Sequence, residues 1–357
     1  MFRRVLFVTF AAMFSTLSGL AQTPAPPAAA LESYNLPPDV TFPEGIAHDA
    51  ATGTIYTASA LTGTLVRVNL KTRASEVVAP AGVLVPGGVT TTFPAVLGMK
   101  LDRHNRLWIS GGRSGKCFIV DARSGKVIKQ FEVPDPSKSL VNDVALVGTT
   151  GYFTDTRTPT LWRIEANGNE IGSLEPWLDF RGTPLQYDDG ANLNGIAATP
   201  DGQSLIVVQM GKGLLFRIDI TSKKVSPIDT GGADLTGADG LVLDGRTLYV
   251  VRQTAVEIAT VQLSQDLTKA TVASRFKDPL LAWPATAVKV GDRLLVVNTQ
   301  FNTRNEKKET LPFTVVSVPL SKLSPGKSTQ APAQPAAQAP APPSPVQLNP
   351  YPDLPIP

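Results

Sequence analysis

Four positions in this chain carry oxygen side chains at one recurring place in the sequence: Glu44, Asn142, Asn194 and Asp239. Each stands immediately before an apolar run, and Leu97 and Ala285 occupy the same place in two further copies of the pattern. Two carboxylates and two amide oxygens suit a hard cation, which takes six to eight oxygen ligands from side chains, backbone, water or substrate. Calcium suits such a ring better than magnesium, which dehydrates reluctantly and rarely occupies an all-protein cage. Asn-Gly and Asp-Gly are also the commonest hairpin turn pairs, so Asn194-Gly195 or Asp239-Gly240 taken alone would read as a turn. Two features weigh against turns: an apolar strand follows each pair at once, and the equivalent residue in the first copy is Glu, a poor turn former. Four oxygen side chains in one register point to a common cause, a single calcium site.

The elements that would bring these residues together are repeats. Each copy reads as an apolar strand, a Gly- or Asp-rich turn, a second apolar strand, another turn and a further apolar strand. The first positions are 44, 97, 142, 194, 239 and 285, so the spacing runs 53, 45, 52, 45 and 46 residues. That period, with several short strands per unit and no helical stripe, is the signature of a β-propeller. The expected fold is therefore all-β, a six-bladed β-propeller whose innermost strands line a central tunnel. The segment Ser33 to Pro38 is expected to add a strand to the last blade and so remove a free sheet edge. The stretches Ala79 to Pro94 and Leu178 to Ala191 are long enough to cover the tunnel mouth.

Other chemistries lack their residues. His48 and His104 are the only histidines, too few for a histidine-rich zinc or copper site, and both are expected in blade turns. Cys117 is the sole cysteine, so no internal disulfide can form and a buried structural role is expected for it. No Gly-x-Ser-x-Gly elbow occurs. The run Ser110 to Cys117 lacks the first Gly and final Ser/Thr of a phosphate-binding loop. A net charge of +3, with only isolated pairs such as Lys223-Lys224 and Lys307-Lys308, argues against a nucleic-acid partner.

The ends differ from the middle. Arg3 and Arg4, the apolar stretch Val5 to Phe14 and the small residues near Gly19 have the order of a secretory signal peptide, expected over residues 1–21. A Pro/Ala-rich linker is expected over 22–32, the propeller over 33–322 and a Pro/Ala-rich disordered tail over 323–357. The implied location is the periplasm or the outside of the cell, with no stable membrane insertion once the leader is removed.

The runs Asn194-Gly-Ile-Ala-Ala-Thr-Pro-Asp-Gly202 and Asp239-Gly-Leu-Val-Leu-Asp-Gly245, with Pro43-Glu44-Gly45, resemble the senescence marker protein, gluconolactonase and luciferin-regenerating enzyme-like family. The resemblance spans Phe42 to Leu320 and implies a calcium-dependent six-bladed propeller. It implies that Glu44, Asn142, Asn194 and Asp239 are the calcium ligands, and that Asp239 is also the base or nucleophile. The chain departs from the family pattern at blade two. Sugar-lactone members carry Arg before an Asn-Asp-Gly run there, whereas this chain reads Ala95-Val96-Leu97-Gly98. A histidine of the phosphotriesterase-type relatives is likewise missing from blade six, where Trp283-Pro-Ala-Thr286 stands. Leu97 and Trp283 are accordingly the expected substrate-binding residues, suited to a lactone or ester more apolar than a sugar lactone.

The expected function is an exported calcium-dependent hydrolase acting on a small-molecule lactone or ester, with calcium polarising the carbonyl. The alternative is a non-catalytic, calcium-stabilised propeller whose face binds a partner or cell-envelope ligand.

Overall fold

The computed structural model describes residues 30–86 and 96–324. The expectations for residues 1–21 and for most of the linker and tail lie outside them. Within the described residues, twenty-four strands form six four-stranded antiparallel sheets, the blades of a six-bladed β-propeller. Blades one to five are each built from four consecutive strands. Blade six takes three strands from the C-terminal end of the fold and its outermost from Glu32–Asn35, which pairs with Thr314–Pro319. This strand ties the two ends of the chain together and leaves no blade incomplete. Ordered contacts extend slightly beyond the expected limits: Leu31 packs on blade six, and the buried Leu323 gives its carbonyl to Thr260 Oγ1. No helix of the described residues is long and apolar enough to cross a membrane.

The near-continuous apolar character of the strands follows from the blades being covered on both faces. Along an inner strand successive side chains point to opposite faces. Ile46 therefore enters the seam between blades six and one, while Ala47 enters the seam between blades one and two. Six hydrophobic clusters fill the six seams, one per pair of neighbouring blades. Trp108 and Cys117 are fully buried in the seam between blades two and three, against Phe153 and Trp162. Each large side chain buried in this way contributes about 1.5–3 kcal/mol. His48 differs from expectation: it lies in the inner strand Pro43–Asp49, not in a turn.

Candidate metal centre

The inner strands of the six blades are Pro43–Asp49, Met99–Leu101, Val141–Val147, Leu193–Ala198, Ala238–Asp244 and Pro284–Val290. They contact one another in a closed ring about the axis. In five blades the pairing with the second strand breaks at one place, where two residues oppose one. The bulged pairs are Glu44-Gly45, Asn142-Asp143, Asn194-Gly195, Asp239-Gly240 and Ala285-Thr286. Leu97-Gly98 makes the same break in blade two, where Leu97 donates to Ser110 O and Gly98 O accepts from Ser110 N, both at 2.9 Å. A β-bulge re-aims a side chain, and here it does so at the residue expected to face the tunnel in every blade.

The glycines of these pairs belong to close packing, not to hairpin turns. A Cβ on Gly45 would lie 2.2 Å from Leu97 O, and one on Gly195 would lie 2.2 Å from Asp239 O. The backbone of the next inner strand occupies that space, so only Gly lets the ring close.

Glu44, Asn142, Asn194 and Asp239 are all at most 2% exposed. Asn142 donates from Nδ2 to Thr156 Oγ1 at 2.9 Å, and Asn194 directs Nδ2 at Met210 Sδ, 3.2 Å away. The Asn142 amide nitrogen is thus held within its own blade, whereas that of Asn194 lies between Met210 and the Asp239 carboxylate of the next blade. Asp239 accepts from Gln253 Nε2 at 2.6 Å through Oδ2, while its Oδ1 and Glu44 Oε2 are buried with no hydrogen-bond partner. Burial first, then the neighbouring Asp239 and Asp143 carboxylates, push Glu44 well above the usual carboxylate range, and Lys100 opposes this. Burial and Asp143 raise Asp239 in the same way, against the effect of a hydrogen bond from Asn194.

Asp143 has a different task. Its Oδ1 accepts from Val144 N at 2.8 Å and lies 3.7 Å from Lys100 Nζ; its Oδ2 accepts from Ile196 N at 3.3 Å. It therefore links blades two, three and four.

This donor set fits calcium. The Lys100 ammonium offsets one of the three carboxylates, leaving two negative charges for a divalent ion, and two buried carboxylate oxygens lack partners. Among the described residues no three of His, Cys, Asp and Glu form a group that could hold a metal.

The two residues expected to contact substrate lie apart. Leu97 is fully buried in an apolar cluster with Leu140, Ala191 and Met210, on the side of blades two to four. Trp283 is half-buried against the Phe42 cluster, between blades six and one. Phe42 and Trp283 hold the same register, two residues before the tunnel position, and both have φ 50°. Of the two stretches long enough to cover the tunnel mouth, the first includes residues 87–95, which lie outside the described residues. The other is anchored: Leu185 is buried, Tyr187 donates to Asp155 O at 2.6 Å, and Phe180 stacks on Tyr187.

Sequence reasoning missed Thr156, Met210, Gln253 and Thr299, the residues one place beyond the end of the second strand in blades three to six. The signal was available. Those apolar strands close on Asp155, Gln209, Arg252 and Asn298, and in blades three to five the side chain that follows the closing residue contacts the tunnel residue of its blade.

No family model matches the sequence, and neither does any curated protein. Solved structures do match in fold. The calcium-binding protein regucalcin from Agrobacterium tumefaciens superposes with a TM-score of 0.56 at 15% identity, over 78% of this chain and 90% of that one. A gluconolactonase from Xanthomonas campestris gives 0.55 at 15% identity, over 81% and 89%. The major allergen Mala s 1 of Malassezia sympodialis gives 0.59 at 14% identity, over 84% and 99%. What is shared is the fold. Two of these neighbours carry names that belong to the family the sequence resembles, and the third shows that the architecture is not tied to one use.

Proposed function

We propose that this chain is an exported calcium-dependent hydrolase that opens a small lactone or ester. The observation that carries the reading is the meeting of Glu44, Asn142, Asn194 and Asp239 in the bulges of one closed ring, with Glu44 Oε2 and Asp239 Oδ1 buried and unpartnered. Bound among them, calcium would polarise a substrate carbonyl and favour the developing oxyanion. Asp239 is the residue assigned as base or nucleophile, and Gln253 fixes the plane of its carboxylate. Asn142 and Asn194 are orientated by Thr156 and Met210. The apolar residues Leu97 and Trp283, where sugar-lactone and phosphotriesterase-type members carry polar ones, support a less polar acyl group than a sugar acid. The order of charges and small residues in 1–21 supports export to the periplasm or beyond.

Purified mature protein assayed against lactones and aryl esters, with and without chelator, tests this reading. Hydrolysis that chelator abolishes, and that Asp239→Asn removes while the fold persists, is the expected result. The second reading, a non-catalytic propeller with a structural ion, is favoured by one observation: Leu97 and all four ligand candidates are almost fully buried. Calcium that raises the melting temperature without turnover of any substrate would select it.

A further inference from the structure

The ring at the tunnel position is interrupted twice, by Leu97 in blade two and by Ala285 in blade six. The interruptions differ in what surrounds them. Leu97 is enclosed by Leu140, Ala191 and Met210, and its bulge faces Ser110, whose buried Oγ has no partner. Thr299 donates its N–H to Trp283 O, two residues before Ala285, as Thr156 does to Leu140 O, two before Asn142, and Gln253 to Gly237 O, two before Asp239. Thr299 is 0% exposed and its Oγ1 has no partner; the same holds for Gln253 and its Oε1. The orientation of Gln253 is not free. Once Asp239 is ionised, as it would be on a bound cation, it can only accept, so the Gln253 amide nitrogen faces Oδ2 and the carbonyl oxygen faces away. Buried acceptors without partners are costly, and these two stand at equivalent places in neighbouring blades, where one cation could serve both.

We infer that Gln253 Oε1 and Thr299 Oγ1 complete the cation's oxygen shell in the sector that Ala285 opens. The inference rests on the calcium reading above and extends it. With four oxygens from the ring, these two bring the protein donors to about six, the lower limit of the usual calcium shell. The ion is then closed off on the side of blades five and six.

Calorimetric titration with calcium, with terbium luminescence lifetimes in H2O and D2O to count bound waters, tests the assignment on the full chain. Thr299→Ala and Gln253→Met are each expected to weaken calcium binding about ten-fold and to admit one further water to the terbium ion. Gln253→Glu, which keeps an oxygen but cannot donate to Asp239, is expected to tighten binding; were Gln253 only a prop for Asp239, it would weaken binding as Met does. Unchanged affinity and water count in Thr299→Ala and Gln253→Met overturn the inference. Should Gln253→Met fail to fold, Thr299→Ala and Gln253→Glu decide it. A wild-type chain that binds neither ion removes the calcium reading and this inference together. Wild-type binding lost in Glu44→Gln but intact in the Thr299 and Gln253 variants removes this inference alone.

Discussion

Gly98 and Asp143 meet across the seam between blades two and three so closely that a Cβ on Gly98 would lie 2.2 Å from Asp143 Oδ1 and 2.7 Å from its Cα. A rotamer change could move the carboxylate, but nothing local can move the Cα. Gly98→Ala must therefore push two inner strands apart or break the links from Asp143 to Val144 and Ile196. Overpacking of this kind costs about 3 kcal/mol. Gly245 is the comparison: its φ is +60° and nothing lies within 4 Å of an added Cβ, so Gly245→Ala should cost about 1 kcal/mol of backbone strain alone. Urea unfolding of the two variants measures the difference. Equal destabilisation would show that the ring does not need the glycine for space.

The buried carboxylates give stability without metal a definite pH dependence. Glu44 and Asp239 are raised above their ordinary values, chiefly by burial. An acid whose folded value is raised holds its proton more tightly folded than unfolded. Its stabilising contribution is present below the unfolded value, near pH 4 to 4.5, and is lost as pH rises through the folded value. The metal-free protein should thus lose stability as pH climbs from that range, and calcium should restore it by favouring the ionised pair. The increase in melting temperature on adding calcium is expected to be small at pH 4.5 and large at pH 8. A calcium effect independent of pH would mean that the ion does not bind to these two carboxylates.

Glu44→Gln separates the cost of the site from its use. Replacing a buried carboxylate by a neutral isostere removes a desolvation penalty and a repulsion with Asp239. In chelator at pH 8 the variant should be more stable than the parent by about 1 kcal/mol or more. With calcium present the order should reverse, because the variant has lost a charged ligand. Thermal melts of both proteins in chelator and in calcium read this directly, and a variant less stable in both conditions would contradict the assignment.

The legible part of this molecule was its repetition. A 45- to 53-residue period, apolar strands covered on both faces and one oxygen-bearing register gave the architecture and placed Glu44, Asn142, Asn194 and Asp239. The glycine after most of them looked like a turn signal because sequence cannot distinguish a left-handed turn from a close approach of backbones. Gly45 and Gly195 settle the matter only when the neighbouring strand is seen. Thr156, Met210, Gln253 and Thr299 escaped notice because they lie just past the second strand. Their relation to the tunnel residue of the same blade depends on antiparallel register, which spacing alone does not give. Nothing in the sequence marks Asp143 as a link, yet its oxygens are engaged with three blades.

Asp155 shows how the strand carrying Asn142 is held. Its Oδ1 accepts from the backbone N–H of Leu140, Arg157 and Thr158, each at 3.0 Å. Its Oδ2 accepts from Ser139 Oγ and from Trp162 Nε1, and its backbone oxygen accepts from Tyr187. All five donors to the carboxylate point at an acceptor-only group. Asp155→Asn has the same shape but must turn an NH2 toward at least one set of donors, leaving buried N–H or O–H groups unsatisfied. A loss of about 3 kcal/mol is expected, against about 1 kcal/mol for Tyr187→Phe, which removes a single hydrogen bond. Because Leu140 and Thr156 flank Asn142 in this arrangement, Asp155→Asn should also weaken calcium binding, while Tyr187→Phe should leave it near the parent value. Denaturant unfolding and calcium titration of the pair give both numbers. An Asp155→Asn protein as stable as the parent would show that the entry to the third inner strand is held by packing and not by this carboxylate.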